Sequence, residues 1–174
     1  MVGVKLTCGN TGKLARIVAA TKDSDFLTFG GSSDFLLQTL AVGGAGVIAG
    51  LGNLAPATNV RLIEAYEAGD FERAREIQAV LAEADWVAIK GGFVAVKVGL
   101  NDFFEYGGEP RSPCAMPEVK VQSEMKAGFA RLMEFERSLQ KPPNLGTSQN
   151  PWRSSFLPPV ERVNSSSTQF NPHR

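Results

Sequence analysis

Short apolar runs open this chain, each followed by a stretch in which apolar residues return every three or four positions. The runs at residues 2–6 (VGVKL), 26–29 (FLTF) and 46–49 (GVIA) have the length and the branched or aromatic character of buried strands. Each meets a turn of small or polar residues: Thr7-Cys8-Gly9-Asn10, Gly30-Gly31-Ser32-Ser33 and Gly50-Leu51-Gly52-Asn53. Helices are predicted next. The first covers 11–20, with Leu14, Ile17 and Val18 as its apolar stripe; the second covers 34–42, with Ser33 as its N-cap. The third starts at about Pro56, a residue favoured in a first helical turn because the N–H it lacks would have no partner there. Three successive strand–helix units predict a parallel sheet covered by helices.

From there the pattern is helical only. Val60, Ile63 and Tyr66 make one stripe, and Gly69 ends it. Asp70 is the expected N-cap of the next helix, with Glu72 near the positive end of the dipole. Arg73 stands where a reciprocal capping box needs Glu or Gln. Ala74, Ile77, Leu81 and Ala84 share the buried face of that helix, Gly91-Gly92 interrupts it, and 93–104 resumes with a less regular period. A Gly- and Pro-rich loop spans 107–113, and a last helix over 118–139 presents Val121, Met125, Phe129, Leu132 and Met133. After Lys141 the composition turns to Pro, Ser, Asn and Gln, which predicts a disordered tail over 141–174 beside a domain over 1–140. Within the tail, Trp152 and Phe156 are the residues able to dock.

Composition narrows the chemistry. The formal charge of the 174 residues is zero and no basic cluster occurs, so no nucleic acid or anionic membrane is indicated as a partner. The longest apolar run, around 41–51, is too short and too rich in glycine to span a bilayer. Two cysteines, Cys8 and Cys114, make no disulfide framework and suit a reducing compartment such as the cytoplasm. The single histidine, His173, is next to last, which argues against a Ser-His-Asp triad, a Cys-His pair or a histidine metal site.

One residue conflicts with its surroundings. Lys5 lies inside the first apolar strand, where burying an ammonium costs several kcal/mol unless it is paired or neutralised. Desolvation of that kind lowers a lysine's pKa and frees its amine to form a Schiff base with a carbonyl substrate. Three parallel strands are also less than a whole architecture, since a doubly wound sheet has five or more and a barrel eight. A chain that begins inside its first strand is therefore expected to lack its beginning. In a βα barrel the three turns would open onto one catalytic face, with Lys5 near the mouth if it points inward.

Gly3-Val4-Lys5 followed by a Gly/Asn turn resembles the Schiff-base lysine strand of the dihydrodipicolinate synthase/N-acetylneuraminate lyase family of pyruvate-dependent aldolases. Gly30-Gly31-Ser32-Ser33-Asp34, Gly43-Gly44-Ala45-Gly46-Val47-Ile48 and Asn53-Leu54-Ala55-Pro56 continue the likeness in order. So do Gly69-Asp70-Phe71 with Ala74, Val96-Lys97 and Arg111-Ser112-Pro113, out to about Gln140. Leu6-Thr7-Cys8-Gly9-Asn10 resembles the family's fungal branch near the 4-hydroxy-2-oxoglutarate and L-threo-3-deoxy-hexulosonate aldolases. The resemblance implies an α/β fold, an incomplete TIM (β/α)8 barrel holding strands six to eight with a C-terminal helical extension. It implies Lys5 as the catalytic lysine, Gly31 and Ile48 as substrate-binding residues, pyruvate or another 2-oxo acid as substrate, and no metal or cofactor. A complete protein would be a homo-oligomer, a tetramer by the family pattern, in the cytoplasm or in mitochondria. The hydroxyl pair that grips the pyruvate carboxylate and the proton-relaying tyrosine belong to strands the chain does not contain, and Tyr66 and Tyr106 match neither.

Blander readings stand beside these. Most lysines at strand ends reach solvent. The Gly30–Ser33 turn works as a plain βα turn or as backbone N–H groups facing an anion. Cys8 reads as a small packing residue, Asp34 and Asp70 as helix-terminus residues, and Lys97 and Arg111 as structural or surface charges. At the level of function, a class I lyase is weighed against dihydrodipicolinate synthase activity. It is also weighed against a non-catalytic barrel fragment that associates with full-length homologues. A phosphate-binding barrel is a weaker third reading, since no basic residue lies in the turns.

Overall fold

The structure, a computed structural model, describes residues 1–140; the tail over 141–174, with Trp152, Phe156 and His173, lies outside the described residues. Strands β1 (Gly3–Leu6), β2 (Leu27–Gly30) and β3 (Gly46–Val47) form a parallel sheet in the order β1-β2-β3. Its register pairs Lys5 with Phe29 and Phe29 with Gly46, and one residue on, Leu6 with Gly30 and Gly30 with Val47. β3 is shorter than its apolar run, although Ile48 N–H still donates to Gly30 C=O at 2.9 Å.

Helix α1 (Thr11–Thr21) follows β1 and is capped by Asn10, whose side chain accepts from Lys13 N–H at 2.8 Å. After β2 comes a 3-10 turn (Ser33–Phe35) running into the short helix α2 (Leu36–Ala41). A second 3-10 turn (Gly50–Asn53) follows β3 and leads to α3 (Pro56–Glu67), with proline in its first turn as predicted. The remainder is α4 (Phe71–Phe104) and α5 (Val119–Gln140). Asp70 caps α4 by accepting from Arg73 N–H at 3.0 Å. Gly92 breaks α4 at φ 61°, a backbone geometry that glycine adopts without steric cost, so the interruption read from Gly91-Gly92 is present.

Period two along the strands sorts the sheet into two faces. Val4, Leu6, Thr28, Gly30 and Val47 point to the side that the helices cover. Gly30 shows how closely, because a Cβ there would come within 2.7 Å of Thr39 Oγ1 and 2.8 Å of the Phe35 ring. Lys5, Leu27, Phe29 and Ile48 point to the other side, where Lys5 is exposed and Leu27 and Ile48 are each 50% exposed. The core lies instead among the helices: Leu36, Leu51, Leu54, Leu62, Ile77, Leu81, Phe129 and Leu132 are fully buried. Among the described residues, no helix is long and apolar enough to cross a membrane.

Two expectations about helix faces change. On α3 the buried residues are Thr58, Leu62 and Ala65, while Val60 is half exposed; on α5 Val121 is exposed and the buried face starts only at Phe129. On α3 Val60 faces away from the side that Thr58, Leu62 and Ala65 bury, and on α5 the first turns lie ahead of the buried stretch, neither of which an apolar count alone reveals.

Candidate active site

Because the strands are parallel, the turns after β1, β2 and β3 emerge at one edge of the sheet. A cavity of about 700 Å³ lies there. Thr7, Cys8 and Gly9 from the first turn, Gly31, Ser32 and Asp34 from the second, and Gly50 and Asn53 from the third form one wall. Helix α4 supplies the other, with Asp85, Trp86, Ile89, Phe93 and Lys97. Gly31 brings the first two turns together. A Cβ there would stand 2.5 Å from Thr7 Cα and 2.9 Å from Leu6 O, both backbone atoms that no rotamer change removes.

Of the sequence-predicted residues, Gly31 lines this cavity. Lys5 and Ile48 do not line it; they lie on the uncovered face of the sheet just below, on the same side by register. The expectation that Lys5 is buried is corrected. Its side chain is exposed, because the apolar run around it is apolar on the helix-covered face while Lys5 points the opposite way. Cys8 is likewise exposed at the cavity rim and is no packing residue. Lys97 reaches the cavity, but its ammonium donates to the Gly107 carbonyl; Arg111 is exposed. Neither tyrosine of the described residues lines the cavity: Tyr66 O–H donates to Leu40 C=O at 3.3 Å, and Tyr106 is exposed.

The turn after β2 is held from a distance. Ser33 does not act as an N-cap, and neither its hydroxyl nor that of Ser32 caps the 3-10 turn. The carboxylate of Asp85 on α4 takes that place: Oδ2 accepts from Ser32 Oγ at 2.6 Å, Ser33 N–H at 2.5 Å and Asp34 N–H at 3.0 Å. Gln78, two turns earlier on α4, accepts from Leu37 N–H at 2.7 Å and donates to Ser33 C=O at 2.9 Å. The backbone N–H of Ser33, in the turn read as facing an anion, is therefore occupied by a carboxylate of the chain itself, as is that of Asp34. Asp85 is 2% exposed. Burial pushes its carboxyl above the ordinary range, against the pull of the hydrogen bonds from Ser32, Asp34 and Ser33, and the negative charge of Asp34 pushes it further the same way.

Glu136 on α5 does the same for α3, accepting from Ala57 N–H at 2.9 Å and from Thr58 N–H and Oγ1 at 2.7 Å each. Sequence reading missed Gln78, Asp85 and Glu136. A signal was there: each falls within the apolar stripe of its helix, at the spacing of Ala74, Ile77, Leu81 and Ala88 or of Phe129, Leu132 and Met133. A polar residue on a buried face must have a partner, because a lone one costs several kcal/mol.

A parallel α/β sheet with its strand-end turns gathered around one cavity defines a protein whose site is built at the strand carboxyl ends. Residues 1–135 match the dihydrodipicolinate synthetase family, and the chain belongs to it. It is 55% identical over 140 residues to "Probable 4-hydroxy-2-oxoglutarate aldolase, mitochondrial" of Emericella nidulans, covering 80% of this chain and 45% of that protein. It is 38% identical over 146 residues to the L-threo-3-deoxy-hexylosonate aldolase of Hypocrea jecorina, covering 80% and 46%. Among solved structures, a dihydrodipicolinate synthase family protein from Coccidioides immitis superposes with a TM-score of 0.69 at 34% identity, over 79% of this chain and 47% of that one. The chain thus spans less than half the length of the relatives it matches.

Proposed function

We propose that these residues are strands six to eight, with the C-terminal helices, of a Schiff-base aldolase barrel acting on 2-oxo acids, and that Lys5 is its imine-forming lysine. The observation that carries this reading is the shared face of Lys5 and Ile48. Both point to the uncovered side of the sheet, each two residues before a residue (Thr7, Gly50) that lines the cavity with Gly31. In a closed barrel that side is the interior, where the remaining strands would desolvate Lys5.

The chemistry follows from the amine. The Lys5 nitrogen adds to the C2 carbonyl of the oxo acid and water leaves, giving a protonated imine. The C3–C4 bond of a 4-hydroxy-2-oxo acid then breaks, its electron pair moving toward the iminium nitrogen while the 4-hydroxyl proton departs and an aldehyde is released. The enamine takes a proton at C3, and water hydrolyses the imine to pyruvate and free lysine. The carboxylate clamp and the proton relay come from the strands that complete the barrel. Substrates of the 4-hydroxy-2-oxoglutarate or 2-keto-3-deoxy sugar acid class fit this scheme, as do a homo-oligomeric state and a mitochondrial or cytoplasmic location for the whole enzyme.

The test is a single polypeptide in which the part of the Emericella nidulans relative outside its match precedes this chain. Pyruvate and borohydride should leave a reduced adduct on Lys5, and 4-hydroxy-2-oxoglutarate should yield pyruvate. Lys5→Ala should abolish both. An adduct of equal yield in the Lys5→Ala protein sinks the assignment.

A further inference from the structure

The turn after β2 has the means to cap itself and does not use them. Ser33 heads the 3-10 turn, yet its hydroxyl is fully buried and has no hydrogen-bond partner among the described residues. Asp85 fills the capping position from α4 with a buried carboxylate. A local hydroxyl cap would serve stability with neither a buried carboxylate nor an orphaned hydroxyl, both of which cost free energy. Departures of this kind from local rules are expected where geometry serves a site. Gln78 stands seven residues before Asp85 on the same face of α4 and holds the other side of the turn, at Ser33 C=O and Leu37 N–H. Gly31 is one residue back from the segment these side chains fix, and a Cβ there would stand 2.5 Å from Thr7 Cα. Thr7 lies two residues beyond Lys5. Gly31, Ser32, Asp34 and Thr7 all line the cavity. In contact this close, the second turn does not shift without pressing on the end of β1.

We propose that Asp85, aided by Gln78, is a positioning residue of the 2-oxo acid site: from α4 it sets the turn that carries Gly31, and through Gly31 the fit of that turn against Thr7 at the end of the Lys5 strand. The inference rests on the reading of Lys5 as the imine-forming lysine. Asp85 Oδ2 already accepts three hydrogen bonds from the turn, so Asp85 acts through the turn rather than on the substrate. The turn meets the bound acid before and during the reaction alike, so loosening it weakens binding and leaves the chemical step in place.

The test uses the single polypeptide in which the unmatched part of the Emericella nidulans relative precedes this chain, with 4-hydroxy-2-oxoglutarate as substrate and circular dichroism to verify folding. Asp85→Ala should raise KM about tenfold or more and leave kcat within about threefold of the parent. Asp85→Asn, which keeps an oxygen acceptor for the turn, should bring KM back to within about threefold. Gln78→Ala frees only the other side of the turn and should raise KM by about threefold or more; it carries the test if Asp85→Ala does not fold. Glu136→Ala is the control, because it takes a buried carboxylate from Ala57 and Thr58, which do not line the cavity; it should lower stability without moving KM. An unmoved KM in Asp85→Ala, or in Gln78→Ala where that variant carries the test, overturns the proposal. So does a KM raised equally by Glu136→Ala. A loss of kcat in Asp85→Asn also overturns it, since Asp85 would then be transferring a proton. At saturating pyruvate, borohydride should leave the Lys5 adduct in every variant. A parent protein without that adduct refutes the imine reading and this role with it, whereas the adduct together with an unmoved KM refutes the role of Asp85 alone.

Discussion

Leu27 on β2 and Leu81 on α4 are the same residue in regular secondary structure, yet Leu27 is half exposed and Leu81 is completely buried. The contrast extends to their regions. α3, α4 and α5 enclose a core of fully buried leucines, isoleucine and phenylalanine, and they satisfy their polar insertions through Gln78, Asp85 and Glu136. The sheet has one covered face and one open face. The helices thus close a core among the described residues, leaving Trp86, Ile89 and Phe93 of α4 exposed beside the cavity, whereas the sheet is covered only on the face that α1 and α2 pack against. Stability in these residues is concentrated in the helices, and the surface that carries the proposed chemistry is the one with least support.

The largest expected effect tests this directly. Leu81→Ala should lower unfolding free energy by about 3–4 kcal/mol, since it leaves a cavity in a closed core, while Leu27→Ala should cost below about 1 kcal/mol. Urea unfolding of the two variants decides it; equal losses would break the comparison. Next comes Glu136→Ala, which strips the part-buried N–H of Ala57 and the buried N–H of Thr58 of their acceptor and should cost about 2–4 kcal/mol, with Glu136→Gln recovering a large part. A loss confined to the last turn of α5 by hydrogen exchange, with α3 unchanged, would contradict the capping role.

The smallest effect concerns pH. The Asp85 carboxyl is raised above its ordinary value of 3.8, so in the interval above 3.8 the folded chain holds a proton that the unfolded chain has released. This contribution to stability is complete below the ordinary value and is lost as pH rises through the raised one. Asp85→Asn keeps an oxygen acceptor for Ser32, Ser33 and Asp34 but cannot ionise, so its melting temperature should lack that decline. Parallel curves for the two proteins would show that Asp85 does not titrate in this way.

Much of the architecture was legible in the order of residues. The three strands, the proline start of α3, the Asp70 cap and the break at Gly92 each rest on a local preference that acts within a few residues. The site was legible in part. Gly31 was found because a strand-to-helix turn with paired glycines announces a close approach, here to the Thr7 backbone. Lys5 was singled out for a buried environment that the structure does not give it, since an apolar run tells which residues favour burial but not which face a given side chain takes. Ser33 was a reasonable cap by type, but a carboxylate 52 residues away along the chain held its place.

By itself, then, the sequence determined the strand–turn–helix order, most helix starts and stops, and membership of a recognisable family, because these depend on side-chain type and short spacing. Tertiary structure alone decided that Asp85 and Glu136 cap helices other than their own, and that Lys5, Leu27 and Ile48 share one uncovered face. The reason is physical. Hydrogen-bond partners and burial depend on what packs opposite a residue, and that neighbour is chosen by the fold of the whole, not by the residues next in line.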